Sequence, residues 1–187
     1  MHNLDKIRAS LSGYTLLITG GGSGIGYSTA KLFAKMGANV AVNYLPEDIE
    51  SKNRVNELKD KYINIIEVTG DVSQEKIAKR VIFETIKKFN SLNSLINNVG
   101  VGLVKDPIPF KELDQLNNDF WQKIMSVNVM SAFYCSRVAS KELIKNKGSI
   151  VNVTSISSNG KRGTSIPYAV SKGALQTLTV SLAKSFS

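Results

Sequence analysis

The segment Thr15-Leu-Leu-Ile-Thr-Gly-Gly-Gly-Ser-Gly-Ile-Gly26 joins an apolar run to a glycine-rich turn, and an amphipathic stretch follows it. A strand, a glycine turn and a helix in this order form the context that a dinucleotide-phosphate site requires. Glycines let backbone N–H groups approach a pyrophosphate, and the helix N-terminus adds favourable partial charge. The residues predicted to bind the phosphates are Gly20, Gly22, Ser23, Gly24, Ile25 and Gly26.

Two other interpretations of this turn are a flexible loop and a P-loop. Gly21 and Gly26 have the outer spacing of a P-loop, but Tyr27-Ser28 stands where that loop needs a lysine followed by serine or threonine. Without the lysine, NTPase chemistry is disfavoured. The usual G-x-G-x-x-G pattern is also absent, since the spacing here is Gly20-x-x-x-Gly24-x-Gly26.

Outward from this turn, short apolar runs alternate with longer amphipathic stretches, as in repeated βαβ units. The pattern predicts one α/β domain over residues 1–187, with a doubly wound parallel sheet of Rossmann type in a three-layer α/β/α arrangement. The predicted strands are 15–19, 39–43, 63–68, 94–97 and 149–154. The predicted helices are 25–36, 48–60, 74–89, 118–145 and 167–186. Residues 99–116 are predicted to cross the surface as an irregular segment.

Composition limits the classes of function. The 24 Lys and Arg against 15 Asp and Glu give a net charge of +9, but no basic run of five or six occurs, so nucleic acid is not a predicted partner. The charge suits the attraction of an anionic cofactor or an acyl-carrier substrate.

The single cysteine, Cys135, and the single histidine, His2, leave no disulfide framework and no zinc-ligand cluster, so no metal is expected. Cys135 is predicted to be a small buried residue. Residues 1–12 lack the apolar core of a secretory signal, and no run of 18 apolar residues occurs, so we expect a cytoplasmic protein without a membrane anchor.

A possible acid–base pair lies at Tyr168 and Lys172, whose i, i+4 spacing puts the phenol and the ammonium on one helix face. A nearby ammonium favours the phenolate form, which suits the phenol to proton transfer near neutral pH. Taken alone, this spacing also describes an ordinary surface pair. Ser155 strengthens the functional interpretation, because it follows an apolar strand whose carboxyl end should lie on the ligand-binding edge of the sheet.

The glycine spacing together with Ser155, Tyr168 and Lys172 resembles the short-chain dehydrogenase/reductase family. The resemblance implies that Ser155 hydrogen-bonds a carbonyl oxygen, Tyr168 donates its proton, and Lys172 assists Tyr168 and holds the nicotinamide ribose. Further matches extend along the chain. Asp71-Val72 resembles the adenine-contacting pair, Asn97-Asn98-Val99-Gly100 resembles the N-N-A-G signature, and Asn128 resembles the asparagine that orders a water in the proton relay.

The resemblance implies NADP or NAD as cofactor and a small carbonyl or alcohol substrate. Tyr44 occupies the position where NAD-specific relatives carry a carboxylate, so we expect a shallow preference for NADP(H). Ser23 and Leu45 lack the basic residues common in NADP-specific members, and Glu47 and Asp48 follow closely. Within the family, the sequence most resembles 3-oxoacyl thioester reductases and glucose dehydrogenases. The resemblance also implies a homo-oligomer, which the family usually forms through the helices that hold Asn128 and Tyr168.

The sequence departs from the family at Val99, where alanine is usual, and at Ser187, beyond which the family's sixth and seventh strands and nicotinamide clamp would follow. We therefore expect a fragment or a natural truncation, lacking the C-terminal strands and poorly active by itself. The leading hypothesis is an NAD(P)(H)-dependent ketone/alcohol oxidoreductase. Two alternatives are a catalytically impaired dinucleotide-binding module and, on charge alone, a nucleic-acid binder.

Overall fold

The computed structural model of the protein describes residues 10–160 and 163–186. His2 and most of the segment judged not to be a secretory signal lie outside the described residues. Within that range the sheet strands are β1 (Thr15–Ile18), β2 (Asn39–Val42), β3 (Ile65–Glu67), β4 (Ser94–Asn97) and β5 (Ser149–Asn152). The α-helices are α1 (Gly24–Lys35), α2 (Ile49–Lys61), α3 (Glu75–Phe89), α4 (Asn118–Met125), α5 (Ser131–Lys145) and α6 (Ile166–Ser185).

The strands form one parallel sheet in the order β3-β2-β1-β4-β5. The chain moves outward from β1 to β3 on one side and then returns to β4 on the other. This reversal lies between β1 and β4, where open α/β sheets bind ligands at the carboxyl ends of their strands. The predicted doubly wound sheet of Rossmann type is confirmed.

Helices cover both faces of the sheet. Successive side chains of each central strand point to opposite faces and are apolar on both, so both faces have to be covered. In β1, Leu16 and Ile18 join one buried cluster with residues of α1 and α2. Leu17 joins the other cluster, which includes residues of α3 and α5. Cys135 on α5 is fully buried in this second cluster, and burial raises the pKa of its thiol to about 12. The prediction of a small buried cysteine is therefore confirmed.

Most predicted boundaries agree with the structure within two residues, and the differences have local causes. Asp48 and Ser165 precede their helices as N-caps, because their side chains accept hydrogen bonds from the backbone N–H groups of Ser51 and Tyr168. The helix predicted over 118–145 is not uniform. A π-helical turn, Ser126–Met130, separates α4 from α5.

The edge strand β5 is shorter than predicted and ends at Asn152. Its Val151 side chain is half exposed. In the described part of the chain, no helix combines the length and apolar character needed to cross a bilayer. The same residues include no group of three or more His, Cys, Asp or Glu side chains placed to hold a metal ion.

Candidate active site at the carboxyl edge of the sheet

The glycine-rich turn packs too closely for side chains at several positions, most tightly at Gly22 and Gly26. A Cβ on Gly26 would lie 2.3 Å from the Gly20 carbonyl oxygen, and a Cβ on Gly22 would lie 2.3 Å from the Cβ and Oγ of Ser51. Gly20 and Gly24 adopt φ angles of 60° and 51°, which favour glycine. The turn therefore brings backbone, rather than side chains, to the N-terminus of α1, as an anion site requires.

Asn98 holds this turn against the end of β4. Its Nδ2 donates hydrogen bonds to the carbonyl oxygens of Thr19 and Gly20, at 3.1 and 2.9 Å. The Thr19 hydroxyl oxygen in turn accepts from the backbone N–H of Asn98 at 3.1 Å. Asn98 thus positions the glycine-rich turn.

A cavity of about 600 Å³ extends from this turn along the carboxyl edge of the sheet to α6. Most of the residues predicted for the site line it: Gly20, Gly22, Ser23, Gly24, Ile25, Tyr44, Asp71, Val72, Asn98, Gly100, Tyr168 and Lys172. The structure therefore brings both predicted halves of the site, which are far apart in sequence, to one cavity. Gly26, Asn97, Asn128 and Ser155 are predicted site residues that lie outside the lining.

At the end of the cavity next to β2 and β3, Tyr44 is buried and its hydroxyl donates a hydrogen bond to the Glu67 carboxylate. Burial and then this hydrogen bond raise the pKa of Tyr44, so the phenol stays protonated. Lys59 pairs with the other Glu67 oxygen at 3.1 Å. Sequence reasoning identified Tyr44 but missed Glu67, because nothing in the local pattern indicates a contact across the sheet.

Asp71 stands in the same part of the cavity wall and accepts a hydrogen bond from the backbone N–H of Ser73 at 3.0 Å. Burial raises the pKa of Asp71, but the hydrogen bonds from Ser73 and the charge of Lys123 outweigh it and hold the pKa below its usual range. The carboxylate is therefore ionised near neutral pH. Lys123 on α4 also lines the cavity and was not predicted.

At the opposite end, α6 places Tyr168 and Lys172 on one face, as predicted. The Lys172 Nζ lies 6.0 Å from the centre of the Tyr168 ring and donates a hydrogen bond to the Val153 carbonyl oxygen at 2.8 Å. Lys172 is only 3% exposed, and this burial lowers the pKa of its ammonium. A Cβ on Gly100 would lie 2.8 Å from the Lys172 Nζ, so glycine at this position leaves room for the lysine.

Asn128 lies within the π-helical turn and links this turn to two neighbouring segments. Its Oδ1 accepts from the Val101 N–H at 2.8 Å, and its Nδ2 donates to the Val101 carbonyl oxygen and to the Ser171 hydroxyl at 3.1 and 2.9 Å. Asn128 is fully buried and lies behind the residues that line the cavity. Only the second lone pair of Oδ1 is left to accept from a water.

Ser155 and Asn97 are placed differently from the expectation. Ser155 lies three residues beyond the end of β5, where it caps a 3-10 turn, Ile156–Asn159, by accepting from the Ser157 N–H at 3.1 Å. It was expected directly after the strand and instead lies further from it, because the chain leaves the sheet at Asn152 rather than at Thr154. Asn97 is buried and donates to Ser136 and Asn152, at 3.1 and 2.8 Å, so it links β4 to α5 and β5 rather than lining the cavity.

Several lining residues were not identified from the sequence. Among them are Asp48, Ser51, Val153 and Thr154. Asp48 could have been found as the first member of an N-cap pattern at the carboxyl end of β2, and Thr154 as a second hydroxyl beside Ser155. No comparable signal marks Val153, which contributes its backbone carbonyl to Lys172.

Comparison with known proteins agrees with this geometry. A model of the short chain dehydrogenase family matches residues 14–187. The chain is similar to an uncharacterized oxidoreductase of Thermotoga maritima, with 33% identity over 95% of this chain and 67% of the relative. It is also similar to glucose 1-dehydrogenase 2 of Bacillus subtilis, with 28% identity over 94% of this chain and 67% of the relative.

A crystal structure from Burkholderia xenovorans, assigned to the short-chain dehydrogenases/reductases, superposes with a TM-score of 0.86 and 28% identity. The superposition covers 93% of this chain and 72% of that one. The chain spans 61 to 67% of the length of the curated relatives that it matches.

Proposed function

The chain belongs to the short-chain dehydrogenase family, and on that premise we propose that it is an oxidoreductase. In this proposal it transfers a hydride between NAD(P)(H) and a ketone or secondary alcohol, using one NAD(P)-binding domain that includes residues 1–187. The observation that carries the proposal is the single cavity with the glycine-rich turn at one end and Tyr168 with Lys172 at the other.

The residues present fit a nicotinamide dinucleotide. The turn at Gly22 and Gly26 forms a cradle that a Cβ would fill, as a pyrophosphate held by backbone N–H groups requires. Lys172 is a buried ammonium that donates a hydrogen bond to the Val153 carbonyl oxygen, and ribose hydroxyls are suitable further acceptors for it. The bound dinucleotide would supply the hydride, with its two electrons, to the carbonyl carbon.

We assign proton transfer to Tyr168. During reduction its hydroxyl gives a proton to the substrate oxygen, and the resulting phenolate is stabilised by the nearby ammonium of Lys172. A proton from water then restores the phenol, and we propose that Asn128 holds such a water through the free lone pair of its Oδ1. Ser155 is proposed to donate to the substrate oxygen, for which its hydroxyl must leave Ser157 Oγ, 3.2 Å away.

The experiment that tests this function is a turnover assay with a panel of ketones in the presence of NADPH or NADH, using the protein expressed from its complete reading frame. The panel includes a 3-oxoacyl thioester and, in the oxidative direction, glucose. We propose a 3-oxoacyl thioester as one substrate, because the positive net charge suits an anionic carrier. Dinucleotide binding without turnover of any panel member would instead support a binding module.

For the cofactor, we expect NADPH to bind more tightly than NADH by less than about tenfold. The reason is that Tyr44 presents a phenol, rather than a carboxylate, at the end of β2, and its proton is committed to Glu67. Dissociation constants measured by nicotinamide fluorescence would check this. A preference for NADH of tenfold or more would contradict it.

We also propose a homo-oligomer and a cytoplasmic location. Exposed Val170 and Val180 on α6 offer apolar contacts to a second copy, and the buried thiol of Cys135 suits a reducing compartment. Size-exclusion chromatography with light scattering would test the first of these proposals, and cell fractionation the second.

A further inference from the structure

The first turn of α2, with its N-cap Asp48, forms part of the cavity wall next to the glycine-rich turn. Ser51 is 1% exposed, and the absence of a side chain at Gly22 is what allows its close approach. One turn further along the helix, the Arg54 Nη1 donates a hydrogen bond to the Gly22 carbonyl oxygen at 3.2 Å. Both Ser51 and Arg54 of α2 therefore contact the glycine-rich turn.

Asp48 presents a fixed carboxylate to the cavity beside Tyr44 and Leu45. One of its oxygens accepts from the Ser51 N–H at 2.9 Å, and the other accepts from the Ser51 hydroxyl at 2.6 Å. The hydrogen bonds from Ser51, with a smaller contribution from the charge of Arg54, hold the pKa of Asp48 below its usual range. The cavity wall thus contains a negative charge at this end, even though Tyr44 is uncharged.

Arg54 supplies the opposing positive charge. Its Nη2 pairs with Glu50 at 2.7 Å, but the Glu50 side chain is 82% exposed, so water can replace this carboxylate at small cost. Ser23 and Leu45, which also line this end, are uncharged. Arg54 does not line the cavity itself, but its contact with Gly22, the residue before Ser23, holds its guanidinium against the glycine-rich turn.

We propose that Asp48 and Arg54 together set the discrimination between NAD(H) and NADP(H) by acting in opposite directions on the adenosine ribose. Asp48 accepts a hydrogen bond from the 2′-hydroxyl of NAD(H) and repels the 2′-phosphate of NADP(H). Arg54 leaves Glu50 to pair with that phosphate, whose oxygens match the planar guanidinium. This assignment rests on the proposed function and explains why the expected preference for NADP(H) over NAD(H) is shallow.

The test measures dissociation constants of NADH and NADPH by fluorescence for the protein and three variants. In Asp48→Asn, which retains a good N-cap, the ratio Kd(NADH)/Kd(NADPH) should rise at least about fivefold, because a repulsive charge is removed. In Arg54→Gln the ratio should fall at least about fivefold, for the opposite reason. Lys61→Gln removes one positive charge from the exposed far end of the same helix and should leave the ratio unchanged.

Arg54→Lys separates charge from geometry, since a lysine keeps the positive charge and loses the planar guanidinium, so its NADPH affinity should lie between those of the parent protein and Arg54→Gln. If either Asp48→Asn or Arg54→Gln leaves the ratio within about twofold of the parent protein, the role given to that residue is wrong. Failure of the proposed function looks different, because the parent protein would then bind neither dinucleotide or would bind both without turning over any ketone of the panel.

Discussion

Replacing Tyr168 with phenylalanine should lower kcat at least about 10²-fold and leave the dinucleotide Kd within about twofold of the parent value. The change removes the transferable proton and keeps the ring. The Lys172 ammonium lies over the Tyr168 ring, and a phenyl ring retains that contact. The loss should therefore appear in kcat rather than in cofactor binding.

Steady-state kinetics with the best ketone of the panel, together with fluorescence titration of NADPH, would measure both quantities. Tyr62→Phe is a matched control, because Tyr62 packs against the buried cluster of α1 and α2 and does not line the cavity. A Tyr168→Phe protein with near-parental kcat would mean that another group donates the proton.

Replacing Lys172 with methionine should also lower kcat at least about 10²-fold, without lowering the melting temperature. Lys172 is 3% exposed, and burial disfavours its charged form. A methionine of similar length removes that penalty and keeps the packing. A lysine whose role were mainly structural would show the opposite pattern, with lower stability and unchanged turnover.

The pH dependence of stability gives this prediction a second readout. Since burial lowers the pKa of Lys172 in the folded protein, the unfolded chain binds more protons at this residue between the folded pKa and the ordinary value of 10.5. The free energy of unfolding contributed by Lys172 therefore rises as the pH increases through that window. Lys172→Met should therefore exceed the parent protein in free energy of unfolding by less as the pH rises from neutral to 10.5. A gap that widens with pH would contradict the assignment.

The sheet could be predicted because its evidence is local. Leu16, Leu17 and Ile18 are consecutive apolar residues, as a strand buried on both faces requires, and the glycine-rich turn follows directly. Helical spacing also puts Tyr168 and Lys172 on one face, but their proposed role depended on Ser155 and the glycine-rich turn as well.

The features that sequence reasoning missed depend on contacts between distant segments. Residues 118–145 have a continuous helical pattern, and the π-helical turn accompanies the buried hydrogen bonds of Asn128 to Val101 and Ser171. The hydrogen bond from Tyr44 to Glu67 joins β2 to β3, and only the sheet register brings the two residues together. From the sequence Asp48 is only an acidic residue that follows β2, and the structure shows that it borders the cavity, where Gly22 packs against Ser51.

Hydride transfer itself is tested most directly with NADPH that carries deuterium at one face of C4 of the nicotinamide. The protein expressed from its complete reading frame is incubated with the best ketone of the panel, and the alcohol product is analysed by mass spectrometry and NMR. We expect deuterium on the carbinol carbon from only one of the two C4 epimers, and its rate of appearance to fall with Tyr168→Phe. Tight NADPH binding with no deuterium in any product from either epimer would contradict the proposed oxidoreductase and leave a dinucleotide-binding module.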